Sequence, residues 1–255
     1  MNTDTGRRRT LRLIAGGAAA ALLAGCDRLS GTEWFPKVLR GGESLSRGVQ
    51  KLLTSRRSMA QEFTEQDLSP DFRSNGTSEP GGERYQALAA GNFADWQLQV
   101  DGHVEQPQAF SLMALRSLPS RTQITRHDCV EGWSAIGKWK GVPLARVLEL
   151  VRPKPAARYV VFHCADVMDD AGTLYYESID LEDANHPQTI LAYELNDAPL
   201  PIKNGAPLRL RVERQLGYKQ AKYLMRLELV ESFAHIGQGK GGYWEDDGYE
   251  WYAGI

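Results

Sequence analysis

Apolar and polar positions alternate in short blocks along this chain. Trp96, Leu98 and Val100 are separated by polar residues, which predicts a strand with one buried face, and Asp101-Gly102 follows as a turn. Ser111 stands where it can cap a short helix running through Leu118 and ended by Pro119. Gln123 to Arg126 reads as a strand leading into Cys129. Pro143 opens a second helix to Val151, because Leu144, Val147, Leu148 and Val151 recur at helical spacing. Tyr159 to His163 fits a fully buried strand, whereas Thr189 to Leu195 fits strand or helix. Leu208, Leu210 and Val212 alternate with Arg209, Arg211 and Glu213, a strand with one charged face, and Lys222 to Val230 gives another strand. Strands outnumber the short helices and do not alternate regularly with them. The expected class is α+β with mixed sheets.

Four segments are expected along the chain. Residues 1–25 have the character of an export signal, 26–62 of a polar tether and irregular lead-in, and 63–234 of the folded domain. Residues 235–255 form a Gly- and aromatic-rich arm with Tyr243, Trp244, Tyr249, Trp251 and Tyr252. Such an arm closes a core by packing on the domain; the alternative is a docking surface for a redox partner.

The N-terminus changes the picture most. Arg7, Arg8, Arg9 and Arg12 precede an Ala-rich apolar run to Leu23, and small residues lead to Cys26. Arg8-Arg9-Thr10-Leu11-Arg12 resembles the twin-arginine signal used for proteins exported already folded around a cofactor. Leu23-Ala24-Gly25-Cys26 resembles a lipobox, which makes Cys26 the expected lipidation site, and Asp27 implies retention at the inner membrane. The expected location is the periplasmic side of that membrane. After residue 30 no apolar run approaches the roughly 20 residues that cross a bilayer. Over 255 residues, 42% are apolar and 24% charged, an ordinary globular composition, and the net charge of -2 speaks against a nucleic-acid partner.

Chemistry concentrates in Thr125-Arg126-His127-Asp128-Cys129-Val130-Glu131-Gly132-Trp133-Ser134. A cation from Arg126 or a protonated His127 would favour the Cys129 thiolate, the form that binds metal or attacks. The residues alone leave several readings open: a buried structural cysteine, a Cys129–Cys164 disulfide, a nucleophilic thiol, or a metal ligand. Zinc is a poor candidate, since the chain has no CxxC pair and too few Cys and His for a four-ligand site.

Cys129-Val130-Glu131-Gly132-Trp133-Ser134, followed by Trp139-Lys140-Gly141-Val142-Pro143-Leu144, resembles the molybdenum-binding core of the sulfite-oxidase fold. Tyr176-Glu177-Ser178, Thr189 to Tyr193, Asn204 to Arg209 and Gly217 to Lys222 extend the resemblance in order, from about Phe63 to Glu231. The similarity is greatest to the branch that contains the catalytic subunit of periplasmic protein-methionine-sulfoxide reductases. It implies a molybdenum–molybdopterin cofactor with Cys129 as the protein sulfur on the metal. It also implies cofactor contacts from Asn75, Asn204, Arg209, Lys219, Gln220, Ala221 and Lys222. Arg suits phosphate as a planar fork and Lys as a point charge. Arg126, His127 and Glu131 are the candidates for roles around the metal or in proton relay.

The implied reaction is two-electron oxygen-atom transfer, the reduction of a small or protein-bound sulfoxide or an N-oxide, with electrons from a haem or quinol-linked membrane partner. Sulfite oxidases place a basic cluster after their cysteine; here Glu131 stands in its place and disfavours a small dianion. Oxidation of sulfite or another small sulfur compound is the alternative, and a non-catalytic lipoprotein binding a partner through its tail is the alternative of another class. A monomer is expected.

Overall fold

The structure is a computed structural model that describes residues 58–255, together with Thr32, Trp34 and Phe35. The expected export signal, Cys26 and most of the tether lie outside the described residues. The strands of the described domain are β1 (Gln97–Gly102), β2 (Gln108–Ser111), β3 (Arg121–Cys129), β4 (Trp133–Pro143), β5 (Tyr159–Val167), β6 (Leu174–Asp180), β7 (Ile190–Leu195), β8 (Ala198–Pro199), β9 (Arg209–Arg211) and β10 (Leu224–Val230). The helices are short: α1 (Glu83–Ala90), α2 (Leu112–Ser117), α3 (Leu144–Val151), α4 (Leu181–Ala184) and α5 (Tyr243–Asp246).

These strands form two five-stranded sheets. One has the order β2-β1-β10-β5-β6; the other runs β3-β4-β7-β8, with β9 also paired to β7. Among the described strands only β1 and β10 pair in parallel, so the first sheet is mixed and the class is α+β.

Both sheets and α3 share one core. Leu98 and Val100 of β1, Phe162 of β5 and Leu227 of β10 meet Val142, Leu191 and Leu210 of the second sheet. The four buried residues of α3, Leu144, Val147, Leu148 and Val151, belong to the same cluster. Fully burying a Leu or Val side chain stabilises by roughly 1.5–3 kcal/mol, so this shared layer dominates the fold. Ser111 caps α2 as its position suggests: its Oγ accepts from Ala114 N at 3.1 Å.

Three local expectations change. Asp101-Gly102 is the end of β1 rather than a turn; Gly102 has φ 85°, and a Cβ there would lie 2.3 Å from the Leu229 carbonyl oxygen of β10. Thr189 to Leu195 resolves as a strand from Ile190, because β4, β8 and β9 all hydrogen-bond to it. The charged face of Arg209, Arg211 and Glu213 turns inward. Arg209 and Arg211 have no exposed area, and their guanidinium carbons lie 5.1 and 4.4 Å from the Trp139 ring centroid. Arg211 also grips Glu213 through Nε at 2.9 Å, so the charge is neutralised inside the protein.

Residues 235–255 close the outer face of the first sheet. Val161, Tyr176 and Val230 form a small cluster there under Phe233, Ile236 and Tyr243. Trp251 meets Tyr159 edge-on at 5.5 Å, and its Nε1 donates to Ser178 Oγ at 2.8 Å.

Candidate functional site

Cys129 is the last residue of β3 and pairs with Trp133, the first of β4. The connecting hairpin needs Gly132, whose φ is 84°, and Gly132 N donates to Cys129 O at 3.1 Å. A tight turn between two paired strands thus presents the thiol at a sheet edge, partly exposed. It opens into a cleft of about 180 Å³. Asn75, Thr77, Glu131, Asp166 and Lys222 supply the polar lining; Met168, Tyr218, Trp244 and Tyr249 supply much of the apolar lining. Cys164 is buried and, like Cys129, free, so the disulfide reading does not hold.

The electrostatics around the thiol differ from the sequence expectation. Burial is the main influence and pushes the Cys129 pKa up; the backbone N–H of Glu131 acts the other way, the Glu131 charge adds to the rise, and Arg73 opposes it. His127 cannot supply a cation. It has no exposed area, and burial together with Arg211 and Arg209 holds its pKa well below the ordinary imidazole range. Arg211 donates to His127 Nδ1 at 3.0 Å, so the ring proton sits on Nε2. Arg126 lies on the opposite, exposed face of β3 and pairs with Asp128 at 2.9 Å. Neither Arg126 nor His127 lines the cleft, whereas Glu131 does, its carboxylate accepting from Trp133 Nε1 at 3.0 Å. The cation that acts on Cys129 is Arg73, stacked 5.3 Å over the Trp133 ring.

The residues expected at the cofactor separate into three groups. Asn75, Gln220, Ala221 and Lys222 line the cleft. Asn204 and Arg209 lie just behind it: Arg209 donates to Asn204 O at 2.9 Å and Gln220 O at 3.1 Å, tying together the two segments expected to hold the cofactor. Lys219 is turned away. Its ammonium has no exposed area and donates to Glu177 and Glu245, so it does not face the cleft. Gly205, with φ 113°, permits the approach, since a Cβ there would lie 3.0 Å from both Arg209 Cβ and Lys222 Cβ.

Lys222 and Asp166 are buried with imperfect compensation. Lys222 Nζ donates to Asn75 O at 2.6 Å and to Thr77 O, stapling that loop to the cleft. Burial, then Arg209, pulls its pKa down to about 7, and burial pushes Asp166 up to about 6. Asp166 Oδ1, Asn75 Oδ1 and Arg209 Nε are buried with no hydrogen-bond partner among the described residues. Unpaired buried polar atoms are costly, and here they mark a site built for a ligand. Two acceptors want N–H donors, and two neighbouring cations want an anion. A pterin bearing a phosphate would meet both needs, and the free Cys129 thiol would suit a soft metal, so the donor set fits molybdopterin.

Several lining residues escape sequence reasoning. Asp166 and Met168 continue β5 beyond Cys164, and the period-two spacing Cys164, Asp166, Met168 could have placed Asp166 on the same face as that thiol. Trp244 and Tyr249 come from the far end of the chain, where no periodicity points inward.

The family described as oxidoreductase molybdopterin binding domain matches residues 86–235. A protein of Azospira oryzae, provisionally named protein-methionine-sulfoxide reductase subunit YedZ1, is 45% identical over 161 residues, covering 63% of this chain and 56% of its own. The protein-methionine-sulfoxide reductase catalytic subunit MsrP of Xanthomonas axonopodis pv. citri is 39% identical over 148 residues, covering 54% of this chain and 46% of its own. The chain therefore spans about half the length of the curated relatives it matches. Among solved structures, the sulfane dehydrogenase SoxCD of Paracoccus pantotrophus superposes with a TM-score of 0.48 at 23% identity, over 54% of this chain and 39% of that one. With more than half of its length matched, and with a cysteine, cations and unpaired acceptors gathered on one cleft, the chain belongs to the molybdopterin-binding oxidoreductase domain family.

Proposed function

We propose that this protein reduces sulfoxides, methionine sulfoxide among them, as a molybdopterin-dependent oxygen-atom transferase. The observation that carries this reading is the cleft itself: Cys129 shares it with the carboxyl groups of Glu131 and Asp166, a thioether and aromatic rings. A neutral sulfoxide with an apolar stem suits such walls, whereas sulfite would meet two carboxyl groups. The names borne by the relatives from Azospira oryzae and Xanthomonas axonopodis support the same substrate class.

When bound, the cofactor supplies the two-electron redox couple and the soft sulfur donors. The chain's own residues do the rest. Cys129 would ligate the metal, Asn75 Oδ1 would accept from the pterin, and Lys222 with Arg209 would balance its phosphate. Reducing a sulfoxide to a thioether and water consumes two protons and two electrons. Asp166, whose pKa burial raises to about 6, is the group on the cleft wall that would hold a proton for this step.

The finer assignments rest on sequence motifs. We infer export by the twin-arginine route, lipid anchoring at Cys26 on the periplasmic side of the inner membrane, a monomeric protein, and electrons from a haem or quinol-linked membrane partner. Among the described residues no helix is long and apolar enough to cross a membrane.

The deciding experiment is metal and pterin analysis of the natively exported protein, followed by a substrate screen with a reduced dye. Stoichiometric molybdenum with sulfoxide-dependent dye oxidation is expected; sulfite turnover without sulfoxide turnover would reject the assignment. Cys26→Ser should move the protein from membrane to soluble fractions.

A further inference from the structure

Trp244 and Tyr249 reach the cleft from the C-terminal arm, and their seating is over-determined. Their rings are tilted 30° to one another with centroids 5.5 Å apart, and Tyr249 N donates to Trp244 O at 2.9 Å. Tyr249 also meets the Tyr218 ring edge-on at 5.3 Å, while Tyr218 Oη donates to Glu250 O at 2.5 Å. Next to Trp244, Glu245 shares the Lys219 ammonium with Glu177, and none of the three side chains has exposed area. Gly242 makes room for this latch, since a Cβ there would lie 2.0 Å from Glu245 Oε2. On the other side of the same residue pair, Tyr176 Oη donates to Asp246 Oδ2 at 2.6 Å.

A buried ion cluster of this kind is expensive unless geometry is tightly held, and it fixes the turn on which Trp244 stands. Gly217–Lys219 leads directly into Gln220, Ala221 and Lys222 of the cleft, so the latch joins the aromatic arm to the segment that faces the cofactor. Tyr249 is 41% exposed and Trp244 partly so, which leaves ring surface open to a ligand entering from solvent.

We propose that Trp244 and Tyr249 are specificity-determining residues that receive the organic group of the sulfoxide, and that Glu245 is a positioning residue acting through Lys219. This rests on the sulfoxide reading above and adds the part of the substrate that is selected. A substituent with a flat or thioether-bearing stem lies against the two rings and Met168, with the S–O group toward Cys129. A sulfoxide with only methyl groups gains little from that wall.

The test uses exported holoenzyme with methyl phenyl sulfoxide and dimethyl sulfoxide. For Trp244→Ala and Tyr249→Ala, the ratio of kcat/KM for the aryl over the dimethyl substrate should fall about three- to tenfold, the size of an aromatic contact. The change should reside in KM of the aryl substrate, and Trp244→Phe should recover most of it. Calorimetric titration with methyl phenyl sulfoxide should show the same weakening without turnover. Glu245→Ala should lower the ratio in the same direction while molybdenum content stays at the wild-type level. An unchanged ratio, or equal losses on both substrates, overturns the inference while leaving sulfoxide reduction standing. Wild-type enzyme that turns over neither sulfoxide removes the functional reading, and the calorimetric comparison then decides the role of the rings alone.

Discussion

Arg211 donates a hydrogen bond to Nδ1 of His127 at 3.0 Å, in a site with no solvent exposure for either side chain. An arginine has no acceptor to offer, so the imidazole must be neutral with its proton on Nε2. Gly217 makes space for that nitrogen, because a Cβ there would lie 2.5 Å from it. Burial and the two guanidinium groups hold the pKa well below its ordinary value. The His127 resonance is therefore expected to stay that of a neutral ring across pH 5–8 by NMR. A midpoint near 6.5 would refute the assignment.

Cys129 in cofactor-free protein carries a thiol whose pKa burial has raised. Its alkylation at neutral pH should be slower than that of a free cysteine and should accelerate as pH climbs past 9, where the thiolate forms. Molybdenum-loaded protein should resist labelling, and Cys129→Ser should lose both metal and turnover while keeping its far-UV circular dichroism. Fast labelling of loaded enzyme at pH 7 would show that the sulfur is not bonded to the metal.

Asp166 gives a signed pH dependence. Its folded pKa of about 6 lies above the ordinary 3.8, so the folded state binds the proton more tightly. The corresponding stability is present in full below about 4 and lost as pH rises through 6. Asp166→Asn in cofactor-free protein should flatten this slope and raise stability near neutrality, by up to about 3 kcal/mol for a shift of this size. Urea titrations at pH 4 and 7 measure it; equal effects at both values would remove the argument.

Lys222 runs the opposite way. Its folded pKa of about 7 lies below 10.5, so the cation that would meet a phosphate is lost as pH rises past 7. Affinity of cofactor-free protein for inorganic phosphate should weaken between pH 6 and 8, and Lys222→Ala should abolish the trend and lower pterin content. A pH-independent affinity would place the anion elsewhere.

The latch at Lys219 makes a prediction by charge alone. One ammonium faces two carboxylates in a dry site, and burial raises the Glu177 pKa well above its usual range. Either Glu177→Gln or Glu245→Gln leaves a balanced pair and should cost little. The double variant leaves Lys219 uncompensated and should lose on the order of 3–5 kcal/mol, a non-additivity that denaturant unfolding can read.

Much of this was legible from residue order. The α3 spacing, the Ser111 cap and the alternation in β1 rest on local rules that tertiary contacts did not override. Strand β4 was not predicted, because Gly137, Lys138, Lys140 and Gly141 break its apolar rhythm. The glycines are there for packing: a Cβ at Gly137 would press on Phe72 at 2.8 Å, and one at Gly141 on Leu191 O at 2.2 Å. At the site, the Cys129 hairpin and the Asn204–Lys222 segments could be found by resemblance. The protonation of His127, the turning away of Lys219 and the aromatic wall could not. Each depends on which groups meet from distant parts of the chain, and local spacing does not encode that.

The parallel pairing of β1 with β10, Gln99 beside Arg226, ties the start of the domain to nearly its last strand. Such long loops close slowly, because chain entropy is lost before the contacts that reward it are made. The hairpin bearing the thiol rests on local contacts, but the walls around it draw on residues as far along the chain as Trp244 and Tyr249. A complete cleft therefore requires β10, and refolding experiments on truncated chains lacking it should yield a protein that captures no pterin.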